Sequence, residues 1–156
     1  MKIRNANVAD IPQLLEMLDE IRAFHQAERP DIFKSDGVKF DKDQLMEMLS
    51  DESQAIFVAE VADKKLSGYA MCQLKLTENS SVLLPAKVLY LDDLFVAKEA
   101  RKEGLGQQLL EACKDFARAE NCTRLELNVW EFPDSALHFY EKSGFTTQRR
   151  EMELPL

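Results

Sequence analysis

The segment ARKEGLGQQLLEACKDFA, residues 100–117, sets Gly104 and Gly106 where an apolar helical pattern begins. The first four N–H groups of a helix have no partner inside it, and the aligned peptide dipoles add partial positive charge at that end. Glycines there remove side chains and open backbone angles closed to other residues, so successive amides can converge on an anion such as a phosphate or pyrophosphate. A plainer reading stays open beside it: one glycine relieves a tight turn and the other lets the helix pack closely on a sheet. Just upstream, Asp92 and Asp93 stand in the otherwise apolar run YLDDLFV. Carboxylates in such a strand are costly to bury unless paired or hydrogen-bonded, and burial raises them toward the range of a useful base. Strict alternation sends Asp92 with Leu94 and Val96 to one face and Asp93 with Phe95 to the other. At least one of the two is expected to face a cavity.

The elements that position these residues follow from periodicity. A short strand around Ile3 precedes a helix that Asp10 can cap, with Pro12 in its first turn and Ile11, Leu14, Leu15, Leu18 and Ile21 at helical spacing. HQAERPDIF, residues 25–33, reads as a loop, and a short helix is expected near residues 42–49. AIFVAEV and LSGYAMCQLKL, parted by the polar ADKK, form an antiparallel hairpin, and KVLYLDDLFV supplies a third strand. Helix over residues 104–120, strand over 124–130, helix over 133–142, a glycine stop at Gly144 and a last strand near 148–154 complete the order β α α β β β α β α β. A meander feeding a β-α-β unit implies a mixed sheet with helices on both faces, in which the strands over 88–96 and 124–130 are parallel neighbours.

At 156 residues, 46% hydrophobic and 31% charged, the chain has the composition of one soluble globular domain spanning 1–156. Its 20 basic and 28 acidic residues leave a net charge of −8, which repels nucleic acid. Cys72, Cys113 and Cys122 form no C-x-x-C pair, and no metal-ligand spacing involves His25 or His138, so neither a disulfide framework nor a metal is expected. Without a signal or membrane-spanning pattern, the expected setting is the cytoplasm, away from membranes. Two familiar phosphate loops fail as well. A Walker A loop needs Gly-Lys-Ser/Thr where Gln107 and Gln108 follow Gly106, and a dinucleotide fingerprint needs Gly or Ala where Leu109 stands.

RKEGLG at residues 101–106 resembles the Arg/Gln-x-x-Gly-x-Gly/Ala signature of the Gcn5-related N-acetyltransferase family. IRNANVADIPQLLEML is similar to that family's opening strand and helix, YLDDLFV to its central strand, and FYEKSGF to its closing helix and turn. The resemblance covers nearly the whole chain. It implies the acyl-CoA N-acyltransferase fold, an α/β (α+β) architecture with a mixed, mainly antiparallel sheet of six to seven strands flanked by about four helices. It also implies acetyl-CoA as co-substrate, with the loop from Arg101 through Lys102, Glu103, Gly104, Leu105, Gly106 and Gln107 on its pyrophosphate, the backbone of Leu94, Phe95 and Val96 along its pantetheine arm, and Asn128 in contact from the second strand. The Asn that usually precedes Ala-x-x-x-Tyr is here Pro133, leaving Ser135 as its replacement.

Acetyl transfer to an amine requires the neutral nitrogen. With an amine pKa of about 10.4, deprotonation near pH 7 costs roughly 4.6 kcal/mol. The resemblance assigns that proton to Asp92, directly or through water, and makes Tyr140 the acid that protonates the departing sulfur. On periodicity alone Tyr140 is equally a core aromatic, and Asp93 equally the support of a neighbouring turn. The resemblance also implies that His25 and Glu28 border the acceptor and that Trp130 lines its pocket. The expected reaction is direct acetyl transfer from acetyl-CoA to the primary amine of a small cationic molecule. The alternatives are a protein N-terminus or lysine as acceptor, or a non-catalytic acyl-CoA sensor, and a homodimer is possible.

Overall fold

In the computed structural model, which describes residues 1–156, strands β1 (Lys2–Asn5), β2 (Gln54–Glu60), β3 (Leu66–Thr77) and β4 (Ala86–Val96) lie side by side in chain order, each antiparallel to the next. A fifth strand, β5 (Arg124–Glu126), completes the sheet parallel to β4. Helices α1 (Ile11–Glu28) and α2 (Lys42–Ser50) cover one face, and α3 (Leu105–Ala119) and α4 (Leu137–Lys142) the other. β3 is the central wall: Leu66 to Cys72 are buried without interruption, as a strand covered on both faces demands. On the first face Leu14, Leu18, Leu45, Val58, Tyr69, Met71 and Phe95 share one core. On the second, Leu105, Leu109, Leu110, Cys113 and Ala117 of α3 pack on Ala70, Cys72, Leu89 and Leu91. Each of those leucines contributes about 1.5–3 kcal/mol by leaving water.

Gly68 makes the close packing of α3 possible. A Cβ there would stand 2.7 Å from the Phe95 carbonyl oxygen and 3.2 Å from Leu109 Cδ1, and the former distance is inside any tolerable contact.

The sheet departs from strict alternation at one point. Met71 lies opposite Asp93 and Cys72 opposite Leu91, so Asp92 is the extra residue of a β-bulge. The cores record the shift: Leu89 and Leu91 face α3, but beyond the bulge it is Leu94 and Val96 that pack on that side, while Phe95 joins the α1 face.

Several expectations are corrected. The sheet has five strands rather than six or seven. β5 ends at Glu126 instead of reaching Trp130, and residues 148–154 make no strand. Met152 and Leu154 in this stretch are 90% and 82% exposed, so no apolar layer rewards their pairing. The tail is held by side chains instead, through Gln148 to Glu126 at 3.3 Å and Arg29 to Glu153 at 2.9 Å. α4 starts at Leu137 because Asp134 has φ 59, in the left-handed region, inside a turn closed by Ser135 N donating to Phe132 O at 3.1 Å. α1 runs to Glu28 and takes in His25, stopping only at Arg29 (φ −132, ψ 67), the residue that Pro30 excludes from helix. At its front Asp10 holds the N-cap position but makes no side-chain cap bond to α1; its carboxylate pairs with Arg4 at 2.7 Å and accepts from Asn7 N, while Asn7 caps the short 3-10 turn Val8–Asp10 by accepting from Ala9 N.

Candidate active site

The bulge brings the two aspartates together. Asp92 and Asp93 do not look in opposite directions, because one ammonium reaches both: Lys39 Nζ lies 3.2 Å from Asp92 Oδ2 and 3.3 Å from Asp93 Oδ2. It also donates toward the Asp92 backbone carbonyl at 3.4 Å. Asp93 is buried, and the Tyr69 hydroxyl donates to its Oδ2 at 3.1 Å. Burial raises the Asp93 carboxyl above its ordinary value, against the opposing pull of Lys39 and Tyr69. Lys39 loses ground to burial but gains more from the two carboxylates, so its pKa rises overall. Asp92 Oδ2 is shielded from solvent and receives no aligned hydrogen bond from any donor, its contact with Lys39 being ionic only.

Below the aspartates the sheet opens. β5 pairs with β4 only from Val88 to Tyr90, whereas β4 continues to Val96 against β3 on its other side. The stretch through Leu94, Phe95 and Val96 therefore has one edge without a neighbouring strand, which suits an extended ligand arm that makes main-chain hydrogen bonds. Arg101 folds back onto this end, its Nε donating to Val96 O at 3.0 Å.

At the start of α3 the two glycines answer to different constraints. Gly104 has φ 77, and a Cβ there would meet nothing within 4 Å; its backbone angle needs glycine, and the space before it is open. Lys102 is likewise left-handed at φ 72. Gly106 is constrained by packing, since a Cβ would press on Phe139 Cε2 and Cζ at 3.3 Å. The plainer reading of the pair thus holds locally, and the turn it creates leaves the first amides of α3 facing open space, the arrangement an anionic pyrophosphate fits.

A cavity of about 1680 Å³ joins these parts. His25, Asp92, Leu94, Phe95, Val96, Arg101, Lys102, Gly104, Leu105, Gly106, Gln107, Asn128, Trp130, Ser135 and Tyr140 all line it, while Glu28 and Glu103 do not. Tyr140 is buried beside Phe139 and Phe145, with ring centroids 5.2 and 5.6 Å away. Burial, reinforced by Asp93, pushes its hydroxyl well above the ordinary tyrosine value, so it keeps its proton throughout the physiological range. Asn128 bridges the splay by donating to Tyr90 OH at 3.2 Å, and Ser135 Oγ accepts from Leu137 N at 3.3 Å just ahead of α4.

The far wall of the cavity is aromatic. His25 stacks on Phe33 at 5.4 Å, Phe33 meets Trp130 edge-on at 5.4 Å, and Phe132 stacks on Trp130 at 6.2 Å. Burial lowers the His25 pKa. Arg29 lies 5.8 Å over the Trp130 ring and pairs with Asp31 and Glu153. Sequence reading missed Lys39, Tyr69, Phe33 and Phe132 here. Nothing in FKSDGVKF marks Lys39 as a partner of Asp93, a contact across 54 positions of chain. The bulge did leave a trace, because apolar residues change parity between Leu91 and Leu94.

No group of three or more His, Cys, Asp or Glu side chains is placed to hold a metal, and no helix is long and apolar enough to cross a membrane. Residues 14–145 match the family model described as Acetyltransferase (GNAT) family. An uncharacterized N-acetyltransferase, YhfO of Bacillus subtilis (strain 168), is 26% identical over 145 residues, 93% of this chain and 89% of the relative. The solved structure of a tetramutant of the BH1408 protein from Bacillus halodurans covers all of both chains with a TM-score of 0.94 at 28% identity. The aminoglycoside N-acetyltransferase AAC(6')-Iy in complex with CoA shares the fold, with a TM-score of 0.72 at 17% identity over 99% of this chain and 98% of that one.

Proposed function

The chain belongs to the acetyltransferase (GNAT) family, and from that premise we propose that it moves the acetyl group of acetyl-CoA directly onto the primary amine of a small molecule, with Asp92 as proton acceptor and Tyr140 as acid. The observation that carries this reading is Asp92 Oδ2: an acceptor oxygen shielded from water, without an aligned donor, on the open edge of β4. A substrate ammonium brought there finds an oxygen ready for one of its protons.

The co-substrate supplies a thioester whose carbonyl carbon the neutral amine attacks. The amides at the start of α3, with Lys102 and Arg101 beside them, would hold its pyrophosphate, and the Leu94–Val96 edge its pantetheine arm. Asp92 accepts the amine proton and passes it toward solvent, while the Tyr69 hydroxyl holds the neighbouring Asp93 carboxyl in place. Tyr140 delivers a proton to the departing sulfur; burial raises its pKa and so keeps that proton on the phenol until the carbon–sulfur bond breaks. Buried Cys72 and Cys113 lie 3.3 Å apart, sulfur to sulfur, and the hydrogen bond between them, with burial, holds the Cys72 thiol protonated. That argues against a cysteine acyl-enzyme.

The contact of Phe33 with Trp130, and the reach of Arg29 to Glu153, join the loop after α1 to the opposite wall. A pocket bridged in this way favours a small amine over an extended peptide. Three free thiols suit a reducing cytoplasm.

The test is release of CoA thiol from acetyl-CoA against polyamines, aminoglycosides, amino acids and basic peptides, for wild type and Tyr140→Phe. Turnover on a small amine that falls at least about tenfold in the variant supports the reading. Turnover on peptides alone moves the acceptor to proteins, and tight cofactor binding without turnover on any amine makes the protein a sensor.

A further inference from the structure

Asp92 and Asp93 already hold an amine, and it belongs to the protein. Lys39 Nζ sits between the two carboxylates at 3.2 and 3.3 Å, and within 3.4 Å of the Asp92 carbonyl oxygen. These are the contacts that an acceptor amine would make on its way to the acetyl carbon. The lysine reaches them from the loop between α1 and α2, where its side chain is 39% exposed and its other neighbour is the Phe40 ring at 5.6 Å. It donates to Asp93 Oδ2 and to the Asp92 carbonyl oxygen, while its ion pair with Asp92 Oδ2 lacks hydrogen-bond alignment.

We propose that Lys39 is an internal pseudo-substrate, occupying the acceptor-amine position until an external amine displaces it, and that the enzyme acetylates it when acetyl-CoA is present without an acceptor. The inference rests on Asp92 being the proton acceptor of the reaction. The step balances without any redox change. One proton of the Lys39 ammonium passes to Asp92 and on to solvent. The Nζ lone pair forms the bond to the acetyl carbonyl carbon as the carbon–sulfur bond breaks. The sulfur takes the Tyr140 proton, and the amine's second proton restores Tyr140. The products are N-acetyl-Lys39 and CoA thiol, with one proton released.

Two consequences distinguish this site from an ordinary surface lysine. Modification is catalysed, so it depends on Tyr140. It also removes a cation that competes with the acceptor, leaving both carboxylates to an incoming ammonium. Losing a competitor held by charged hydrogen bonds to Asp93 Oδ2 and the Asp92 carbonyl should raise the apparent affinity for the acceptor roughly tenfold or more.

The experiment incubates the full chain with acetyl-CoA and no acceptor, then maps acetylation by peptide mass spectrometry over time for wild type, Lys39→Arg and Tyr140→Phe. The expected result is acetylation of Lys39 ahead of every other lysine, slowed at least about tenfold in Tyr140→Phe. In parallel, Lys39→Gln should lower KM for the best external amine by about tenfold. Modification at equal rates in wild type and Tyr140→Phe would overturn the proposal, because it would be uncatalysed. Turnover of external amines with Lys39 unmodified overturns it as well, while leaving the reading of the function standing. Absence of acetylation on both Lys39 and every external amine defeats the two together.

Discussion

Gly104→Ala separates the backbone requirement at the start of α3 from the packing requirement beside it. The native φ of 77 lies where an L side chain costs about 1–2 kcal/mol, while the added methyl meets no atom within 4 Å, so no packing term offsets or adds to that cost. For a chain of this length each kcal/mol shifts Tm by about 2–4 °C, giving an expected loss of about 2–8 °C in thermal denaturation. Gly104→Asn should recover part of it, since Asn tolerates the left-handed region better than Ala. If the peptide instead rotates to relieve the strain, the amides ahead of α3 turn with it. Calorimetric titration with CoA would then show weakened affinity at nearly unchanged Tm. Either outcome expresses the same strain. An Ala variant that matches the wild type in both Tm and CoA affinity would refute the claim that this angle is required.

Three further outcomes are expected. Gly68→Ala forces a methyl to 2.7 Å from the Phe95 carbonyl and should destabilise by about 1–3 kcal/mol, read as a lower midpoint in urea denaturation. Asp93 has its carboxyl raised by burial above the ordinary 3.8, so the folded state binds this proton more tightly than the unfolded chain. That contribution is full below about 3.8 and is lost as pH climbs through the raised value. Asp93→Asn should therefore flatten Tm against pH just above 3.8, and an unchanged slope would count against the burial argument. Replacing Cys72, Cys113 and Cys122 together with Ala should leave acetyl-CoA turnover detectable, whereas abolition by any one substitution would restore a covalent intermediate to consideration.

Most of the scaffold could be read from periodicity, because in β1 to β4, α1 and α3 the local pattern and the tertiary environment agree. Leu105, Leu109, Leu110 and Cys113 repeat at helical spacing and are the residues α3 buries. The misses fall where the two disagree. Met152 and Leu154 alternate like a strand but have no layer to cover, and LELNVW looks extended although only its first residues pair with β4. At the site, residue types were legible and directions were not. Asp92, Asp93 and Tyr140 stood out as chemistry, but alternation sent the acids apart because it takes no account of an inserted residue. The change of parity from Leu89 and Leu91 to Leu94 and Val96 was the available signal. Lys39 had none, as its partners lie far along the chain.

The ion pair between Arg29 and Glu153 bears on how the protein should be handled at the bench. Leu156 is three positions past Glu153, a span of about 10 Å when extended, so an affinity tag fused there starts within reach of the Trp130 wall. A tag fused ahead of Met1 starts beside β1, three strands and about 14 Å across the sheet from β4. Screening of acceptor amines is better done with the tag on the β1 side. A difference in KM between the two placements, with equal affinity for CoA, would measure how strongly the last residues brace the aromatic wall.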